Sequence, residues 1–228
     1  MLNIRDRAIQ EYLTALFATL GKNHLPIDEV MLRKLHGEKD YTGMVRLIQD
    51  QMLLTLRVRV GFVNKGGPPD AVAWTYHNNR TLPIYGTVAY KRTLVTFYIR
   101  KSFLEHASFE SVVYAIVHEL SHILLESLRN PLHSVEEAVD LTVLVLGYGR
   151  FCAIGKTYNP LLKVEIPVPK VTSLSGRIQA KWSFALERFG LKEPEKPQVI
   201  NKVSRRSLGY LSRDEILYAE KLIATMRR

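Results

Sequence analysis

The feature that most constrains this 228-residue chain is an apolar stretch with three polar side chains lodged in it. From Phe109 to Leu125 the residues Val112, Val113, Ile116, Val117, Leu120, Ile123 and Leu124 recur at spacings of three and four, which is the period of a helix. Ser108 is a suitable N-cap, and Glu110 complements the helix dipole in the first turn. A helix this apolar is buried, so His118, Glu119 and His122 sit where unsatisfied polar groups are costly. Histidines four apart project from one face, one turn above the other. Two neutral imidazoles so placed can bind one Zn²⁺, and the glutamate between them lies close enough to polarise a metal-bound water.

A catalytic zinc site needs a third protein ligand. His133, Glu136 and Glu137 are the candidates. Ser134-Val135-Glu136-Glu137 has the Ser-x-x-Glu form of a capping box, which opens a second helix and occupies Glu137 with the N–H of Ser134. Glu136 is then free to face the metal. Asp140, four residues further and on the same face, can accept a hydrogen bond from the outer nitrogen of a ligating histidine and so fix its tautomer.

His118-Glu119-x-x-His122 followed by Glu136-x-x-x-Asp140 on a separate helix resembles the gluzincin metallopeptidases, the family of thermolysin. The resemblance covers residues 109–151; with so short an interval between His122 and Glu136 it implies a pared-down member, and Leu146-Gly147-Tyr148-Gly149 is similar to small bacterial proteins of this type. It implies a zincin-like α+β fold in which a small mixed sheet packs on the active-site helix. It also implies His118, His122 and Glu136 as zinc ligands, Glu119 as general base and Asp140 as support for a ligating histidine.

Composition narrows the setting. The single cysteine, Cys152, excludes an intramolecular disulfide and a four-cysteine zinc site, and points to a reducing compartment. Arg5, Asp6, Arg7 and Glu11 interrupt the first twenty residues, so no signal peptide is expected there. No charge-free apolar run approaches the length of a membrane span. A cytoplasmic protein is expected. The net charge of +10 is concentrated at the end of the chain, where residues 171–228 hold 12 Lys+Arg against 6 Asp+Glu. These charges alternate with acids, prolines and apolar residues, so a solvated basic face is preferred to a nucleic-acid surface.

The chain is expected to form one domain over 1–228, with a helical part at 1–52, the sheet and site helices at 53–155, and a helical end at 156–228. Helices are expected at Ile4–Leu20, Asp28–Leu35 and Thr42–Met52. Alternation from Leu54 to Phe62 predicts a strand, with others at Ala71–Tyr76, Ile84–Tyr90 and Thr93–Arg100. The last of these is either the rim of a peptide-binding cleft or an internal strand. Residues 147–169 are expected to be irregular, Ser173–Phe189 to be a helix carrying Trp182 and Phe184, and Lys192–Arg206 a mobile segment. Ser212-Arg213-Asp214-Glu215 is a further capping box for a terminal helix reaching Met226.

The expected reaction is peptide-bond hydrolysis by zinc, on a peptide or protein substrate, with Glu119 moving the proton and Tyr148, Tyr210 or Tyr218 as donors to the oxyanion. The sequence leaves two alternatives open. One is a DNA-associated protease resembling the SprT group, in which His133 would be the third ligand. The other is a non-catalytic module that zinc merely stabilises.

Overall fold

The computed structural model describes residues 4–69, 71–78, 80–155, 157–158, 161–166, 198–203 and 206–228. Three helices open the chain: α1 (Ile4–Leu20), α2 (Glu29–Gly37) and α3 (Tyr41–Gln51). Asp28 and Asp40 cap the second and third by accepting the N–H groups of Met31 and Gly43. There follow β1 (Arg57–Val63), β2 (Ala73–Tyr76), α4 (Val88–Arg92), β3 (Leu94–Arg100) and α5 (Lys101–Leu104). The long α6 (Phe109–Ser127), a 3₁₀ turn (Pro131–Ser134), α7 (Glu136–Val145) and α8 (Gly149–Gly155) come next. Short strands β4 (Thr157–Tyr158), β5 (Leu161–Ile166), β6 (Gln198–Val203) and β7 (Arg206–Ser207) precede the terminal α9 (Arg213–Arg227). The described architecture is α+β. No helix among the described residues is long and apolar enough to cross a membrane.

The chain forms two compact units, Met1–Pro160 with Arg205–Arg228, and Leu161–Ser204. The described part of the second is an antiparallel ladder of β5 and β6, in register from Leu161↔Val203 to Ile166↔Gln198.

The first unit is built around α6. Its apolar residues face every direction, as expected of a helix enclosed by other elements. Only Glu110, Glu119, His122 and Glu126 reach solvent, each in part. It packs against α3, α7, α8 and β2, while α1 and α9 pack on α7. Leu13, Leu16, Met44, Ile48 and Leu125 are fully buried in this core. Side chains of this kind contribute about 1.5–3 kcal/mol each when removed from water.

The sheet has the order β1-β3-β2. β1 runs parallel to β3, with Arg57↔Leu94 through Val63↔Arg100, and β2 runs antiparallel to it, with Ala73↔Ile99 through Tyr76↔Thr96. Val95, Phe97 and Ile99 alternate into the core. Because β3 is paired on both sides, it is the internal strand and not the rim of a cleft. The free edge beside α6 belongs to β2.

The structure corrects three other expectations. Ile84–Tyr90 is not a strand. Gly86 turns the chain at φ +80°, and Thr87 accepts the N–H of Tyr90 to start α4, leaving Ile84 and Val88 in solvent. The short apolar run carried no alternation, so its turn chemistry decided the outcome. Residues 147–169 are not all irregular, since α8, β4 and β5 lie there. β6 falls within the polar stretch Lys192–Arg206. The helix expected over Ser173–Phe189 lies outside the described residues.

Candidate metal centre

His118 and His122 leave the same face of α6, and Glu136 is the first residue of α7. Their donor atoms all lie within 4.8 Å of one another. Oε2 of Glu136 is 3.3 Å from Nε2 of His118 and 3.4 Å from Nε2 of His122. Each ring is fixed through its other nitrogen. Nδ1 of His122 donates to the carbonyl oxygen of His133 at 3.1 Å, since a carbonyl can only accept, and this turns Nε2 toward Glu136 and the position a ligand would take. Nδ1 of His118 donates to Oδ1 of Asp140 at 2.9 Å. Two oriented imidazoles and one carboxylate fit Zn²⁺, by donor type and number.

The turn between the helices sets this convergence. Asn130 accepts the N–H of Leu132 and donates to Thr19 on α1, which holds the 3₁₀ turn and hence the His133 carbonyl in place. α7 then starts one residue later than expected: its N-cap is Val135, which offers no side-chain bond. The capping box of Ser134 and Glu137 therefore does not form, because Ser134 ends the 3₁₀ turn instead of standing before the helix. Glu137 is half-buried and outside the donor group, about 100° around the helix from Glu136. His133 is exposed, and its ring also stays outside that group, with Nδ1 against the carbonyl of Asn130 at 3.0 Å. It serves the site through its main chain.

Asp140 is fully buried and makes four hydrogen bonds. Oδ1 accepts from Tyr114 Oη at 2.5 Å and from His118, while Oδ2 accepts the main-chain N–H groups of Tyr210 at 2.7 Å and Leu211 at 3.1 Å. The C-terminal segment is thereby tied to the support of a candidate ligand. Gly209 permits this, since a Cβ there would collide with Tyr114 Oη. The sequence does not mark Tyr114 as part of the site, and it marks Tyr210 for its hydroxyl and not for the main-chain N–H that Asp140 accepts.

The charges respond to these contacts. Burial opposes protonation of His118, but hydrogen bonds to Asp140 and Glu136 outweigh it and raise the imidazole to about 10 in the metal-free protein. Hydrogen bonds from His118 and His122 hold Glu136 down at about 2. Burial pushes Asp140 up, yet the bonds from His118, Tyr114 and Tyr210 bring it below the ordinary carboxylate range. Glu119 moves the other way. Burial raises its pKa against the pull of His118 and His122, and the N–H of Thr75 on β2 donates to its carboxylate.

His118, Glu119, His122 and Glu136 share a cleft of about 600 Å³ between β2 and α6, lined also by Ala73, Trp74, Ala115 and Leu208–Tyr210. Of Tyr148, Tyr210 and Tyr218, Tyr210 alone lines this cleft. Its ring is half-exposed and stacks on His118 with centroids 6.2 Å apart and planes at 18°. Tyr148 is buried, with its hydroxyl on Gln51, and Tyr218 belongs to α9. Compared with known proteins, the chain matches no family model, no curated protein and no solved structure.

Proposed function

We propose that this protein is a zinc-dependent metallopeptidase of the gluzincin kind, with His118, His122 and Glu136 as the protein ligands. The observation that carries the proposal is the convergence of these three side chains from two helices beside an elevated carboxylate, Glu119, in one cleft. When bound, zinc supplies Lewis acidity, which polarises the scissile carbonyl and acidifies water.

The chain's own residues supply the rest. Glu119, with its proton affinity raised by burial, accepts the proton of the attacking water at its carboxylate and delivers it to the leaving amine nitrogen. Tyr210 presents its hydroxyl to the cleft as a donor for charge developing on the carbonyl oxygen. Asp140 keeps the His118 ring turned toward the metal position.

β2 offers an edge for an extended substrate. Val72 accepts the N–H of Arg100, so the alternating ladder directs the polar groups of Ala73 and Thr75 away from β3. Glu119 takes the N–H of Thr75, which leaves Ala73 and the Thr75 carbonyl for a peptide main chain. Main-chain recognition of this kind favours low sequence selectivity. A SprT-like arrangement with His133 as third ligand is disfavoured because the His133 ring is engaged with Asn130. The test is hydrolysis of a fluorogenic peptide library by the zinc-loaded chain. Cleavage lost in Glu119→Gln supports the reading, and undiminished cleavage in that variant contradicts it.

A further inference from the structure

A second cavity, of about 380 Å³, lies past the end of β2, walled by His77, Arg80, Glu126, Arg129 and His133 among others. His118, His122 and Glu126 are spaced four apart, so this cavity adjoins the next turn of the same α6 face that carries the candidate ligands. His77 directly follows β2, and His133 also lines the cavity while its carbonyl holds His122. The cavity thus continues the line of the cleft.

Its charges are unevenly matched. The one carboxylate among the described residues of its wall, Glu126, is engaged: Oε1 accepts the N–H of Leu82 at 2.8 Å, and Oε2 lies 3.4 Å from Nε2 of His77. The side chains of Arg80 and Arg129 are exposed, and neither makes an ion pair or hydrogen bond with another described residue. Two guanidinium groups on one concave wall, with the local acid already satisfied, form a receptor for a small anion.

We infer that this cavity is a carboxylate-binding subsite of the cleft, using Arg80 and Arg129 to hold an acidic group of the peptide near the bond to be cut. The inference rests on the metallopeptidase reading and adds a specificity to it. One turn of α6 beyond His122 is about 6 Å, which is roughly two residues of extended chain at about 3.3 Å each. A carboxylate two residues from the scissile bond reaches the cavity. Phosphate fits less well, because its second charge meets Glu126 in the same wall, whereas a planar carboxylate pairs with a guanidinium fork. The carboxylate can come from a Glu or Asp side chain or from a chain terminus.

The test uses zinc-loaded full-length protein carrying Glu119→Gln, with chelator-treated wild type as a second cleavage-free preparation, and fluorescently labelled alanine-rich peptides. One set has blocked ends and Glu or Gln at each position in turn. Another has neutral side chains and a free or amidated C-terminus. Glu at one position should bind roughly tenfold more tightly than Gln, equivalent to about 1.4 kcal/mol. R80A/R129A should reduce that ratio to near unity. A preference confined to the free C-terminus would identify the source as the chain end. Equal binding of all the peptides, or a preference that survives R80A/R129A, overturns the subsite, as does tighter binding of a labelled oligonucleotide lost in the same variant. Failure of wild type to cleave any of these peptides, with the Glu preference intact, would count against the hydrolytic reading and leave the subsite standing.

Discussion

Asp140 and His118 meet through one hydrogen bond of 2.9 Å, and the other oxygen of Asp140 holds the main chain of Tyr210 and Leu211. Orientation of a candidate ligand and docking of the C-terminal segment therefore depend on the same buried carboxylate. Asp140→Asn cannot serve both, because an amide presents one acceptor oxygen where the native group presents two. We expect that variant to bind zinc about 10- to 100-fold more weakly, as read by chelator competition, and to be cut faster near Tyr210 in limited proteolysis. Unchanged metal affinity would mean that Asp140 only anchors the chain.

The metal-free protein should show a site-specific pH dependence. His118 is raised from 6.5 to about 10, so its contribution is complete below about pH 6.5 and is lost as pH rises through 10. Glu136 is lowered from 4.5 to about 2, so its contribution is present above about 4.5 and is lost as pH falls toward 2. The stability difference between wild type and His118→Gln should accordingly shrink between pH 6.5 and 10, measured by urea unfolding with chelator present. A difference that grows over that interval contradicts the arrangement. Zinc should bind more tightly over the same rise in pH, because ligation must displace the His118 proton.

The two Ser-x-x-Glu sequences should behave differently. In α9 the box forms, with Ser212 Oγ accepting from Glu215 and the Glu215 carboxylate accepting from Ser212. Ser212→Ala should cost about 1 kcal/mol. In α7 no such box forms, so Ser134→Ala and Glu137→Ala should each cost less than about 0.5 kcal/mol. Thermal or urea denaturation decides between them.

Much of the site could be read in the sequence because its parts are periodic. The spacing of His118 and His122, the apolar residues around them and the position of Glu136 relative to Asp140 are all local helical relationships. The supporting contacts are not local. Tyr114 lies 26 residues from Asp140, and Tyr210 lies 70 residues away and binds through a main-chain N–H that any residue but proline possesses. His133 drew attention for its ring, yet it acts through its carbonyl. Among the strands, β3 was visible from its β-branched and aromatic run. Its internal position followed only from the pairing of β1 and β2 on either side.

Glu119→Gln should separate chemistry from binding. The amide keeps the size of the side chain and can no longer accept the water's proton. Metal content should therefore be retained, while kcat falls by about 10²- to 10⁴-fold. A variant that loses both would indicate that Glu119 shapes the centre itself.

The most direct measurement is zinc stoichiometry by elemental analysis of purified wild type, Glu136→Ala and Glu137→Ala, each checked for folding by circular dichroism. One zinc per chain is expected in wild type and in Glu137→Ala, and little or none in folded Glu136→Ala. Zinc retained in Glu136→Ala but lost from Glu137→Ala would contradict the assignment of Glu136 as a ligand.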